Sequence, residues 1–192
     1  HNSRPATARH RLGALSRFLD FLHERKIIDT NPVISIAKKN KPKPPAPRDT
    51  FYSEEQLKML WHPDRPLKEI YSRYLRFLIT TPLRAGEAAE LRAKKVSASR
   101  MEISLSSDAT KNRQPFVMPL IEIALQQMNL KGQSAEHRVF QLSTKPDQPM
   151  RSWSHFNTAV RQATGIEDFN IHNLRRTFST LIAENSEFGE GI

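Results

Sequence analysis

Thr81-Pro82-Leu83-Arg84-Ala85-Gly86-Glu87-Ala88-Ala89-Glu90-Leu91-Arg92 is the stretch from which the rest of this chain can be read. It follows a segment in which Ile70, Tyr74, Phe77 and Leu78 fall on one face of a helix. Thr81-Pro82 breaks that helix, because proline lacks an N–H and disfavours helical backbone at the residue before it. Ala85 to Leu91 then reads as helical again, so Arg84 stands just after a break. Two more basic spots lie downstream. Thr110-Lys111-Asn112-Arg113 falls in the polar run Ser106–Gln114, which reads as a turn between the alternating strands Met101–Leu105 and Phe116–Met118. His172-Asn173-Leu174-Arg175-Arg176-Thr177-Phe178 opens a last helix that runs to about Ala183. His172 and Arg175 are three residues apart there and share a face.

Two arginines, a lysine and a histidine brought to one point would suit a phosphate. Arginine forks match phosphate oxygens two at a time. Fixed cations can stabilise a five-coordinate phosphorus without a metal, and a lysine or histidine can protonate a leaving oxygen.

Working outward, Ser53-Glu54-Glu55-Gln56 predicts a capping box opening a short helix to about Trp61. Helices are also expected at about 120–130 and 152–163, where Trp153 and His155 read as packing residues. Residues 7–28 carry Leu12, Leu15, Phe18, Leu19 and Leu22 at helical spacing, and Asn31-Pro32 ends that element. The run from Lys38 to Arg48, with four prolines and five basic residues, predicts an extended, semi-rigid linker. The expected class is mainly α with one small antiparallel sheet. The expected domains are a helical piece at 1–38, a basic Pro-rich linker at 39–50 and a main domain at 51–192.

The 192 residues carry 30 Lys/Arg against 20 Asp/Glu, a net charge of +10 that suits a polyanion. Residues 1–50 hold 11 Lys/Arg against 4 Asp/Glu, a net of +7; residues 51–192 hold 19 against 16, a net of +3. Phosphate binding in the main domain must therefore come from placed side chains. The absence of cysteine excludes disulfides, thiolate metal sites and cysteine nucleophiles. No window approaches the roughly 18 apolar residues of a membrane span. The chain starts inside a helical pattern without an initiator methionine and reads as a fragment of something longer.

Residues 81–92 resemble the first box of the tyrosine recombinase (phage integrase) family, T-G-L-R-x-G-E-L-x-x-L-R. Residues 172–180, His-Asn-Leu-Arg-Arg-Thr-Phe-Ser-Thr, resemble the second, H-D-L-R-[HR]-T-F-A-T, at an interval of 91 residues between Arg84 and Arg175. Residues 109–120 resemble the family's hairpin, T-K-[TN]-x-[RK]-x-x-x-V-P-L. The resemblance covers roughly residues 7–188 and is nearest to prophage and genomic-island integrases.

It implies that Arg84 and Arg175 grip the non-bridging oxygens of a scissile phosphate, with His172 beside them as ligand or proton carrier. Lys111 would protonate the 5′-hydroxyl leaving group, and Glu87 would orient Arg84 without touching DNA. Lys38, Lys39, Lys41 and Lys43, with Arg113 and Arg176, are the candidate contacts to DNA backbone. The helical piece would be part of a core-binding domain. The implied partners are double-stranded DNA attachment sites and, for the full-length protein, a homo-tetramer on DNA, in the bacterial cytoplasm at the nucleoid. No cofactor, metal or membrane is implied.

Several positions depart from the pattern. Pro82 replaces glycine, Asn173 replaces aspartate, and Ala93-Lys94-Lys95 stands where the family often has Trp-x-Asp. The family's nucleophilic tyrosine follows the second box by some tens of residues, whereas Ile192 comes 17 residues after Arg175. Tyr52, Tyr71 and Tyr74 all precede Arg84, so the nucleophile is expected to be none of this chain's tyrosines. The alternative reading is a DNA-binding module without strand transfer. A metal-dependent nuclease is disfavoured because Glu87, Asp108, Glu90 and Glu122 form no carboxylate motif.

Overall fold

The structure is a computed structural model that describes residues 5–43, 51–107, 114–130, 132–142 and 148–185. The chain divides into two compact units, His1–Asp49 and Thr50–Ile192.

The first unit is built on one helix, α1 (Pro5–Glu24), which buries none of its residues. Lys26 takes a left-handed backbone, φ 57°. Its N–H bonds to the His23 carbonyl and that of Ile27 to Leu22, which closes the helix with a Schellman turn. The Asn31 amide then ties the following turn back to α1, donating to the Ser16 carbonyl at 3.0 Å and to Asp20 Oδ1 at 2.7 Å. The basic run expected to be extended begins differently, because Lys38–Asn40 closes a 3-10 turn. Residues 44–50 lie outside the described residues.

The second unit opens with α2 (Glu54–Trp61), and both hydrogen bonds of the Ser53/Gln56 capping box are made. The amphipathic α3 (Glu69–Ile79) follows and buries Tyr71, Tyr74, Leu75, Phe77 and Leu78. Next come α4 (Ala85–Glu90), a 3-10 turn (Ala93–Lys95) and the strands β1 (Val96–Ser97), β2 (Glu102–Leu105) and β3 (Phe116–Pro119). The strands form one antiparallel sheet in the order β1-β2-β3, with Ile103 facing Val96 on one side and Met118 on the other. The last helices are α5 (Glu122–Gln126), α6 (Trp153–Thr164) and α7 (Ile171–Asn185). The class is thus mainly α with a small antiparallel sheet, as the sequence predicts. β1 is too short for alternation to reveal, and α5 is half the length expected.

α3 packs against α2, α5 and α7. Tyr74, Phe77, Phe140, Phe156 and Phe169 are fully buried. Tyr74 meets Phe140 edge-on at 5.1 Å and Phe156 at 5.6 Å between ring centroids, and Trp153 stacks on it at 6.1 Å. Such pairs add about 0.5–1.5 kcal/mol each beyond the burial of area. His155 is exposed, not packed. It falls on the face of α6 away from Phe156 and Val160, the buried positions that set the helix's inward direction.

Candidate active site

The break at Thr81-Pro82 does specific structural work. The Thr81 hydroxyl donates to the Phe77 carbonyl at 2.8 Å and Thr80 Oγ1 to Arg76 at 3.0 Å, satisfying the last carbonyls of α3. Leu83 and Ala85 are buried on either side of Arg84, which leaves Arg84 half-exposed at the N-terminus of α4. Glu87 then reaches back. One oxygen accepts the Arg84 backbone N–H at 2.9 Å, and the other pairs with Arg84 Nη1 at 2.6 Å. A carboxylate in the first turn of a helix is favoured there. Only 11% of the Glu87 side chain is exposed, so it is fixed where it can hold more than one partner.

The second partner is Arg175. On α7, Ile171, Leu174 and Thr177 are buried, which turns His172 and Arg175 outward together. Arg175 Nη1 lies 3.8 Å from Glu87 Oε2. One carboxylate therefore stands between two arginines that are 91 positions apart in sequence. His172 lines the same cleft, which also takes in Trp153 and the turn Arg92–Lys95 and has a volume of about 810 Å³. A smaller cavity of about 230 Å³ joins Arg84 and Arg175 to Gln114 and Pro115, which lead into β3, and to Phe116, its first residue. Lys111 and Arg113 lie outside the described residues. Arg176 is exposed beside Arg175 on α7. Lys38, Lys39, Lys41 and Lys43 belong to the first unit, and none of them is buried.

Two residues that sequence reading set aside turn out to anchor the boxes. Tyr74 is fully buried, and its hydroxyl donates to the Ala85 carbonyl, next to Arg84. Burial pushes the Tyr74 phenol well above its usual range, so it remains a neutral donor. Tyr52 does the same for α7. Its hydroxyl donates to the Asn170 carbonyl at 2.9 Å and accepts the Asn170 N–H at 2.7 Å. Its own backbone N–H donates to Thr177 Oγ1 at 2.9 Å, and its ring stacks on Phe169 at 5.7 Å. Asn170 in turn caps α7 by accepting the His172 N–H at 3.0 Å, while Asn157 Oδ1 accepts that of Ile171 at 3.2 Å. The signal for these anchors was present only as burial: tyrosines on apolar faces, whose hydroxyls need a partner.

With Arg84, Glu87, His172 and Arg175 on one cleft, comparison with known proteins is informative. The family model described as "Phage integrase family" matches residues 50–187. The chain belongs to the phage integrase family. A protein of Haemophilus influenzae that carries the name integrase/recombinase is 28% identical over 182 residues, which cover 88% of this chain and 46% of that protein. The chain thus spans about half the length of that relative. Among solved structures, a lambda integrase tetramer bound to a Holliday junction matches with a TM-score of 0.73 at 13% identity, over 97% of this chain and 57% of that one. The Tn1549 transposon integrase in complex with circular intermediate DNA matches with a TM-score of 0.66 at 14% identity, over 93% and 66%. These likenesses establish the catalytic-domain fold for this integrase-family chain. No helix among the described residues is long and apolar enough to cross a membrane.

Proposed function

We propose that this chain is the phosphate-gripping core of a site-specific DNA recombinase. The observation that carries the reading is the Glu87 carboxylate, bonded to Arg84 at 2.6 Å and standing 3.8 Å from Arg175. It lies beside both guanidinium groups on a cleft that His172 also lines. Two forks so placed offer donors to both non-bridging oxygens of a phosphodiester and to the charge that builds on them during in-line attack. The bond that forms joins phosphorus to a tyrosine oxygen. The bond that breaks releases the 5′-oxygen, which takes a proton from Lys111. The resulting 3′-phosphotyrosyl link keeps the energy of the phosphodiester until a 5′-hydroxyl of a partner strand resolves it.

In this reading residues 1–38 are part of a core-binding domain and 39–50 a basic linker. Lys38, Lys39, Lys41, Lys43, Arg113 and Arg176 meet the DNA backbone, and the full-length protein works as a tetramer on double-stranded attachment sites. In the full-length recombinase, Arg84→Ala or Arg175→Ala is expected to slow cleavage about 10²–10³-fold, the loss of about 3–4 kcal/mol seen when one oxyanion donor is removed. Cleavage near the wild-type rate by either variant would sink the reading.

A second reading is favoured by the tyrosines. Tyr52, Tyr71 and Tyr74 are buried, and the hydroxyls of Tyr52 and Tyr74 are committed to backbone partners. None is placed to attack, so these 192 residues alone act as a DNA-binding module. They are expected to form no SDS-resistant adduct with nicked suicide DNA, and a covalent complex would refute this.

A further inference from the structure

The cleft carries more positive charge than one phosphate needs. Arg84, Arg92, Lys94, Lys95 and Arg175 line it, against Glu87 and Glu90. The cleft spans about 810 Å³ and is open to solvent, leaving room beyond a single phosphate group.

The cations differ in how they are compensated. Arg84 and Arg175 share Glu87. Arg92 and Lys94 share Glu136, at 3.5 and 2.6 Å. Glu90 is taken by Arg138 and Arg151, which do not line the cleft. Lys95 is held otherwise. Its Nζ donates to Ser106 Oγ at 3.2 Å, a neutral partner on the segment that follows β2. The Ala93–Lys95 turn is itself fixed, because the Ala93 and Lys94 N–H groups donate to the His137 and Ala135 carbonyls at 2.9 Å. Lys95 is half-buried, so its stem is confined while its ammonium keeps further donors. It also stands at a position where the family resemblance leads one to expect an aspartate. A reversal from −1 to +1 inside a cleft changes what the cleft attracts.

We propose that Lys95 forms a second phosphate subsite in the cleft, holding a neighbouring phosphate of the DNA strand whose scissile phosphate sits at Arg84 and Arg175. The inference rests on the phosphate-grip reading above and deepens it. Ser106 accepts one hydrogen bond from the ammonium. The phosphate supplies a counter-charge in direct contact, which Lys95 lacks among the described residues, where Glu136 attracts it only from beyond ion-pair distance.

The test is the salt dependence of binding to a short fluorescein-labelled duplex of mixed sequence, followed by anisotropy. Each phosphate contact contributes about −0.9 to the slope of log affinity against log salt. Lys95→Gln is expected to make the slope shallower by about that amount, Lys95→Asp to do so and weaken binding further, and Lys95→Arg to keep the wild-type slope. Ser106→Ala, which keeps the charge, is expected to keep the slope as well. If Lys95→Gln leaves the slope unchanged while Arg175→Ala makes it shallower, the second subsite is refuted and the grip stands. If Arg84→Ala and Arg175→Ala also leave it unchanged, the grip itself falls. If Ser106→Ala matches the loss caused by Lys95→Gln, the lysine acts by bracing the hairpin, and the subsite is again refuted.

Discussion

The first unit carries most of the chain's charge and almost none of its burial; the second carries the burial and little net charge. Residues 1–50 have a net of +7, yet α1 buries no residue, and Leu15, Phe18 and Phe21 are 46–57% exposed. Residues 51–192 have a net of only +3 over an aromatic core. Arg84 and Arg175 are fixed there because Leu83, Ala85, Leu174 and Thr177 beneath them are buried. Bulk charge needs no core, since attraction to a polyanion depends on how many cations can reach phosphates. A transition state needs donors held to a fraction of an ångström, and only a packed scaffold does that.

The contrast can be broken at the core. Phe156→Ala in the second unit is expected to cost about 3–5 kcal/mol of unfolding free energy, because the cavity lies under Tyr71 and Tyr74. Phe18→Ala on α1 is expected to stay within about 0.5 kcal/mol. Urea titrations of both variants decide it, and similar losses would mean the first unit has a core of its own. The charge side is tested by exchanging Lys38, Lys39, Lys41 and Lys43 for glutamine. Four lost contacts should make the salt slope of DNA binding shallower by up to about 3.6, whereas Arg175→Ala should shift it by about 0.9. Equal shifts would show that the linker does not track the backbone.

The site was legible where the sequence itself states the geometry. The 81–92 and 172–178 stretches put each arginine between buried neighbours, so the outward direction of Arg175 follows from helix period and that of Arg84 from the extended backbone between Leu83 and Ala85. Glu87 was legible as the arginine's partner because three positions separate them; its reach to Arg175 was not, because that depends on tertiary packing. Tyr52 and Tyr74 were read only as unsuited to be nucleophiles. Their hydrogen bonds to Asn170 and Ala85 cross 118 and 11 residues, and no local pattern encodes either. β1 was missed because two residues cannot alternate. His155 was misjudged because a helix has an outer face that residue type does not reveal.

Tyr52→Phe sharpens the comparison at the site. It removes the hydroxyl that both donates to and accepts from the Asn170 backbone, and it leaves the ring on Phe169. A loss of about 1–3 kcal/mol is expected, the penalty of unsatisfied polar groups in a partly buried setting. Unchanged stability would mean that water replaces the phenol and that α7 does not depend on this anchor.

The smallest effect is electrostatic and confined to the second unit. Glu90 accepts from Arg151 Nη2 at 2.7 Å and from Arg138 Nη2 at 3.1 Å. The Arg151 hydrogen bond first, and the Arg138 one after it, hold the Glu90 carboxyl below the usual carboxylate range. A group whose value is depressed by folding stabilises the fold at pH above its unfolded value. That contribution fades as pH falls through the folded value, so it is present at pH 7 and lost in the acid range below about pH 4. The Glu90 side chain is 42% exposed and solvent screens the pair, so the whole effect is about 0–1 kcal/mol. The stability difference between wild type and Glu90→Gln is expected to be largest near neutrality, to shrink toward pH 3 and to shrink in high salt. Among the described residues of the first unit no ion pair lies within 4.0 Å. A difference that stays constant with pH would show that Glu90 contributes through packing and not through charge.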